Sequence, residues 1–146
     1  MENPGKFTVR NASWRDDLVA LQALRREIFI IEQRVPEVLE WDAADADCVH
    51  ALALNAEAQA IGTGRLLPDG HIGRMAVITS WRRRGVGSAI LEFLISRARS
   101  EGHAALHLHA QSHALAFYQR YGFIAHGAEF MEAGIPHRQM TLNWSA

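Results

Sequence analysis

Two periods of apolar residues run along the chain, and their junctions mark its elements. From Ile72 to Ile78 the sequence is largely apolar, which predicts a strand. After an arginine-rich interval, Val86, Ala89, Ile90, Phe93, Leu94 and Ala98 recur three and four apart, while Glu92, Arg97, Arg99 and Glu101 fall mostly on the other side. That spacing predicts an amphipathic helix, with Gly102 placed as its C-terminal cap. Upstream, Phe7, Val9 and Asn11 alternate with polar residues and predict a short strand ended by the cap-like Ser13. Leu18, Leu21, Leu24, Ile28 and Ile31 then predict a core-facing helix over residues 14–31, which Pro36 prevents from continuing. Arg25, Phe29, Glu32 and Gln33 share one stripe of that helix, so its end is either simply solvated or presents polar groups to a cavity.

Residues 48–54 and 58–67 read as two strands joined at Asn55-Ala56-Glu57. The Pro68-Asp69-Gly70 turn sends the chain into 71–78 as the third strand of an antiparallel meander. Residues 104–110 form a strand with Leu106 and Leu108 on one side and His107 and His109 on the other. The long helix leads into it, so it lies parallel to 71–78 through a right-handed crossover. Ser112 caps a helix to about Tyr121, Gly122 ends it, and 123–128 returns as a strand. A loop over 130–136 and a last strand over 137–144 complete the pattern. The expected class is therefore α/β (α+β), with strands and helices mixed in one sheet-centred layer architecture.

Composition narrows the possibilities. At 146 residues, 49% of them hydrophobic, the chain suits a single domain, 1–146, with a substantial core. A net charge of −1 argues against nucleic-acid binding through bulk charge. Cys48 is the only cysteine, so no internal disulfide can form, and a reducing, cytoplasmic setting is expected. The leading MENPGKFTVRN has no apolar core of a signal peptide, and no run reaches membrane-spanning length. The acidic run over 35–47, with Glu37, Glu40, Asp42, Asp45 and Asp47, is either a solvated segment or a lure for a cationic amine.

Chemistry concentrates where the predicted strand meets the long helix. Arg82, Arg83, Arg84, Gly85, Val86 and Gly87 hold the turn there, and unpaired amides at a helix start favour phosphate. Neither GxxxxGK[ST] nor GxGxxG is present. The Arg82-x-x-Gly85-x-Gly87 pattern instead resembles the pyrophosphate-binding motif of the GCN5-related N-acetyltransferases. A second segment, AQSHALAFYQRYGFIAHG, resembles that superfamily's A-x-x-FY-x-x-x-GF signature at the expected distance downstream. With IFIIEQRVPEV, IGRMAV and GIPHRQM added, the chain is similar to the ElaA-like branch over nearly its whole length.

That resemblance implies a mixed, mostly antiparallel sheet of six or seven strands, flanked by helices, whose fourth and fifth strands run parallel and splay apart to admit acetyl-CoA. It implies that Met75, Ala76 and Val77 offer backbone groups to the pantetheine arm. The amides of Arg84, Gly85, Val86, Gly87 and Ser88, with Arg82 and Arg83, would take the pyrophosphate. Gln111 stands where many members have asparagine. Tyr118 falls at the family's general acid, although it also reads as a core aromatic. For the base, Glu32, His71, His107 and His109 stay open. The implied activity is acetyl transfer from acetyl-CoA to a primary amine of a small molecule, peptide or protein. The alternative is an acyl-CoA-binding sensor without turnover. A homodimer is compatible with the resemblance. His103, His107, His109 and His113 raise the idea of a metal, but HExxH and CxxC patterns are absent and none is expected.

Overall fold

The computed structural model describes residues 6–144, so the first five residues of the leader reading lie outside the described residues. Seven strands form one sheet in the order β1-β2-β3-β4-β5-β7-β6. β1 (Phe7–Ala12), β2 (Val49–Asn55), β3 (Ala60–Leu66) and β4 (His71–Val77) make the expected antiparallel meander. The long helix α3 (Val86–Ser100) crosses over to β5 (Ala105–Gln111), which runs parallel to β4. β7 (Ile135–Asn143) inserts between β5 and β6 (Ile124–Glu132). The fold is thus the mixed α/β sheet with one parallel pair that the family resemblance implies.

Alternation along β2 and β3 gives each face its own helix. Ala51 and Ala53 pack with Val86, Ile90, Leu91 and Leu94 of α3, whereas Leu52 packs with Leu21 and Leu24 of α1 (Leu18–Arg25) on the opposite face. Close approach of α3 depends on glycine in β3. A Cβ on Gly64 would lie 2.6 Å from the Met75 sulfur and 2.9 Å from Ile90 Cγ2, and one on Gly62 would lie 2.9 Å from Ile90 Cδ1.

The parallel pair is short: only His71↔His107 and Ile72↔Leu108 are in register. Directly beyond them β4 carries a bulge. Thr63↔Ala76 and Arg65↔Gly73 leave Gly64 opposite two residues, Arg74 and Met75. Arg74 sits at φ 51, a left-handed conformation costing a non-glycine residue about 1–2 kcal/mol. An inserted residue bends its strand, so β4 leaves β5 and a gap opens between them.

Several elements differ from the sequence reading. The first helix is α-helical only to Arg25 and continues as a π-helical turn over Arg26–Glu32, with the Gln33 N–H bonding the Ile28 carbonyl at 2.9 Å. The wider turn rotates Ile31 off the core face, leaving it 67% exposed. The expected helix over 112–121 reduces to a 3₁₀ turn (Ser112–Ala114) and α4 (Leu115–Gln119). Residues 130–136 are mostly strand rather than loop, because β6 and β7 close in a tight hairpin at Ala133 and Gly134, both at positive φ. Pro136 lies beyond the stretch of β7 that pairs with β5, so its missing N–H leaves that ladder intact.

The acidic run is not solvated throughout, because arginines hold Glu40, Asp42 and Asp45. Between α2 (Glu37–Glu40) and the 3₁₀ turn Ala43–Asp47 it folds under three arginines. Arg25 Nε donates to Glu40 Oε2 at 2.6 Å, and its Nη1 donates to Asp45 Oδ1 at 2.7 Å. Arg65 donates to Asp45 at 2.8 Å and to both oxygens of Asp42. The Arg25 guanidinium also lies between the Trp14 and Trp41 rings, 5.4 and 5.1 Å from their centroids.

Candidate active site

The site begins at the turn after β4. Gly85, at φ 83, caps α3, and the first helical bond runs from the Ala89 N–H to the Gly85 carbonyl at 3.0 Å. The N–H groups of Val86, Gly87 and Ser88 therefore stand at the positive end of the helix with no acceptor inside it. Arg83 and Arg84 are exposed beside them, Arg84 lying over Trp81 at 5.1 Å. This combination of free amides and two open guanidinium groups suits a diphosphate.

Arg82 turns the other way. Its Nε donates to the Val77 carbonyl at 2.9 Å, and its fork donates to both Glu32 oxygens at 2.7 Å. Hydrogen bonding from Arg82 holds the Glu32 carboxyl below its ordinary range, against a smaller opposing effect of burial. Its neighbour Gln33 accepts from Gln111 Nε2 at 2.9 Å, at the far end of β5. Adjacent residues at the end of the π-helical turn thus grip both sides of the gap, Glu32 the β4 side and Gln33 the β5 side.

Within the gap, β4 presents backbone. Ile78 spends its N–H on Ile61 of β3 at 3.0 Å and Ala76 is paired with Thr63, so alternation directs Val77 and Met75 toward β5. The second motif packs against the first: a Cβ on Gly87 would lie 3.6 Å from Phe117 Cζ. Tyr118 follows on α4, edge-on to Phe117 at 5.0 Å and to Phe123 at 6.0 Å. Burial pushes its phenol up to about 12, so it stays protonated at neutral pH.

The sheet face opposite α3 is open beyond β4 and rich in imidazole. His71 Nδ1 lies 3.0 Å from Asp69 Oδ1, and its ring centroid is 5.2 Å from that of His107 and 6.3 Å from that of His109. His109 contacts Glu132 at 2.9 Å. A cavity of about 50 Å³, room for ordered water, is bounded by His71, His107, His109, His126, Gln139 and Thr141. Among the described residues no group of three or more His, Cys, Asp or Glu is disposed to hold a metal. His103 lies near Gly70 and His113 contacts Gln111, both apart from this face. A larger groove of about 570 Å³ between β1 and α3 contains none of these groups.

The structure therefore brings Arg82, Gly85, Gly87 and the Phe117-Tyr118 pair to one end of the gap, Glu32 and Gln111 to its margins, and His71 to the open face at its closed end. Sequence reasoning passed over Arg74, a charged residue inside an otherwise apolar strand. It also passed over Asp69 as the partner of His71, although the two are separated by one residue.

A splayed parallel pair beside a glycine turn at a helix start defines an acyl-CoA N-acyltransferase fold. The acetyltransferase (GNAT) domain model matches residues 14–144, and the chain belongs to that family. It is 36% identical over 121 residues to the uncharacterized N-acetyltransferase YjcF of Bacillus subtilis, covering 80% of this chain and 86% of that one. An acyl-CoA N-acyltransferase from Pseudomonas aeruginosa superposes with a TM-score of 0.83 at 31% identity, covering 94% of this chain and 99% of that one. Escherichia coli ElaA gives a TM-score of 0.82 at 26% identity, covering 94% and 100%. Family membership makes acyl transfer the chemistry of this fold. Among the described residues no helix is long and apolar enough to cross a membrane.

Proposed function

We propose that this protein transfers an acetyl group from acetyl-CoA to a primary amine of a small molecule, peptide or protein by direct attack. The observation that carries this reading is the gap between β4 and β5, which runs from the Gly85 turn to the imidazole face. The amides of Val86, Gly87 and Ser88, with Arg83 and Arg84, take the diphosphate. The backbone of Met75 and Val77 pairs with the pantetheine arm as an added strand, with Ala76 holding that stretch to β3. Because α3 fills one side of the sheet, the amine arrives from the other.

Amine nitrogen attacks the thioester carbonyl, the Val77 N–H donates to the oxygen as it gains charge, and the C–S bond breaks. Tyr118 delivers its proton to the departing sulfur. His71, held by Asp69 at the opposite end of β4 from Val77, takes the proton leaving the ammonium through a chain of waters along the gap. Glu32, already shared with Arg82, is better suited to bracing the turn than to proton transfer. Calorimetry with CoA, followed by thiol release from acetyl-CoA across an amine panel, tests the reading. Binding with release for at least one amine is expected; no affinity for CoA overturns it. Tyr118→Phe should lower kcat by about 100-fold with little change in CoA affinity, and unchanged turnover removes the acid role.

A further inference from the structure

We propose that Arg74 is a positioning residue, a clamp by which the buried acidic segment holds the β4 bulge and with it the backbone groups that face the reacting thioester. This rests on the acyl-transfer reading above. The bulge starts where the β4–β5 ladder ends, at Ile72↔Leu108, and it resets the alternation of the strand. Ile72, Met75 and Val77 face α3, while Ala76 packs with Ile28, Phe29 and Val35 on the other side. A regular β4 would put Ile72 and Ala76 on one face and would keep pairing with β5. The inserted residue therefore both opens the gap and aims Val77 along it.

Nothing in the preference of arginine selects φ 51; the side chain does. Arg74 Nε lies 3.2 Å from Glu40 Oε2, and Nη2 donates to the Glu40 carbonyl at 3.2 Å and reaches the Leu39 carbonyl at 3.4 Å. Asp42 Oδ2 is 3.6 Å from Nη2. Glu40 cannot yield, since it is 2% exposed and Arg25 grips both its carboxylate and its carbonyl. Arg65, on the neighbouring strand, fastens Asp42 and Asp45 of the same segment. The bulge is thereby tied to a rigid, charge-matched block instead of to the sheet alone.

Arg74→Gly tests the clamp, because glycine accepts the left-handed backbone without strain while the grip is lost. In the full chain, kcat for acetyl-CoA is expected to fall by about 30-fold to 100-fold. CoA affinity, set mainly at the Gly85 turn, changes by no more than about 3-fold. Exchange of the Ala76 amide, which pairs with β3, should quicken at least tenfold. Arg74→Lys keeps the charge but not the fork; it should give an intermediate loss, and it carries the test if the glycine variant does not fold. A folded Arg74→Gly with kcat within twofold of wild type and unchanged exchange overturns the clamp. Wild-type protein without CoA affinity overturns the acyl-transfer reading instead, and the exchange measurement then still decides whether Arg74 holds the bulge.

Discussion

Two sets of three arginines sit at opposite ends of a range of environments. Arg82, Arg83 and Arg84 are consecutive and exposed; Arg25, Arg65 and Arg74 come from three elements and converge under the sheet. The second set meets Glu40, Asp42 and Asp45, three charges against three. Removing such groups from water is tolerable only when each finds an opposite partner and hydrogen bonds. In the first set Arg82 alone is ion-paired among the described residues, with Glu32. Arg83 and Arg84 keep their charge open beside the helix start. Matched charge builds structure here, and under the proposed function the unmatched charge serves the diphosphate.

The sharpest way to break that contrast is to remove a buried member. Arg25→Ala leaves Glu40 and Asp45, both almost fully buried, without their closest partner. The expected loss is about 3–5 kcal/mol, which for a chain of this size lowers Tm by about 10 °C or more. Thermal unfolding followed by circular dichroism measures it. A Tm within 2–3 °C of wild type would mean that the cluster adds little to stability.

The contrast also explains what could be read from sequence. The arginine turn, its strand and its helix occupy some thirty consecutive residues, so local pattern showed them, and Phe117-Tyr118 came with a recognisable spacing. The buried cluster joins residues 15, 20 and 23 apart, in Arg25–Glu40, Arg25–Asp45 and Arg65–Asp42. No local period encodes such contacts, so the acids read as either a solvated run or a lure for a cationic amine. The π-helical turn was hidden because Ile31 fits an α-helical stripe that the wider turn abolishes. The β6–β7 hairpin was misread over 130–136, where Gly134 and Pro136 look like loop residues. Gly134 belongs to the tight turn, and the one irregularity in β6 is the register shift between His126 and Phe130, at Gly127.

A milder sharpening removes the open charges. Arg83→Gly with Arg84→Ala should leave Tm nearly unchanged, since Arg83 occupies φ 62, which glycine adopts freely. CoA affinity should drop by about 30-fold at low salt, roughly 1 kcal/mol for each exposed guanidinium–phosphate contact. The deficit should shrink as salt rises, because screening already weakens the wild-type contacts. Calorimetric titrations at two ionic strengths read it. A salt-independent deficit would show that the arginines act by shape rather than charge.

The smallest effect belongs to the residue that stands between the two sets. Glu32 is partly exposed, like its partner Arg82, so solvent screening keeps their pair worth less than about 1 kcal/mol. Its carboxyl titrates below the ordinary glutamate value of 4.5 because Arg82 favours the charged form. The pair's contribution is therefore complete above that ordinary value and is lost as pH falls through the lower, folded-state value. Glu32→Gln should cost little at neutral pH, and it should remove this one increment from the acid side of the stability curve. If Glu32 only braces the turn, the variant binds CoA a few-fold more weakly and keeps the wild-type shape of its pH–rate profile. Loss of an ionisation from that profile would instead move Glu32 from brace to base, and would show that a matched pair at the margin of this gap can still do chemistry.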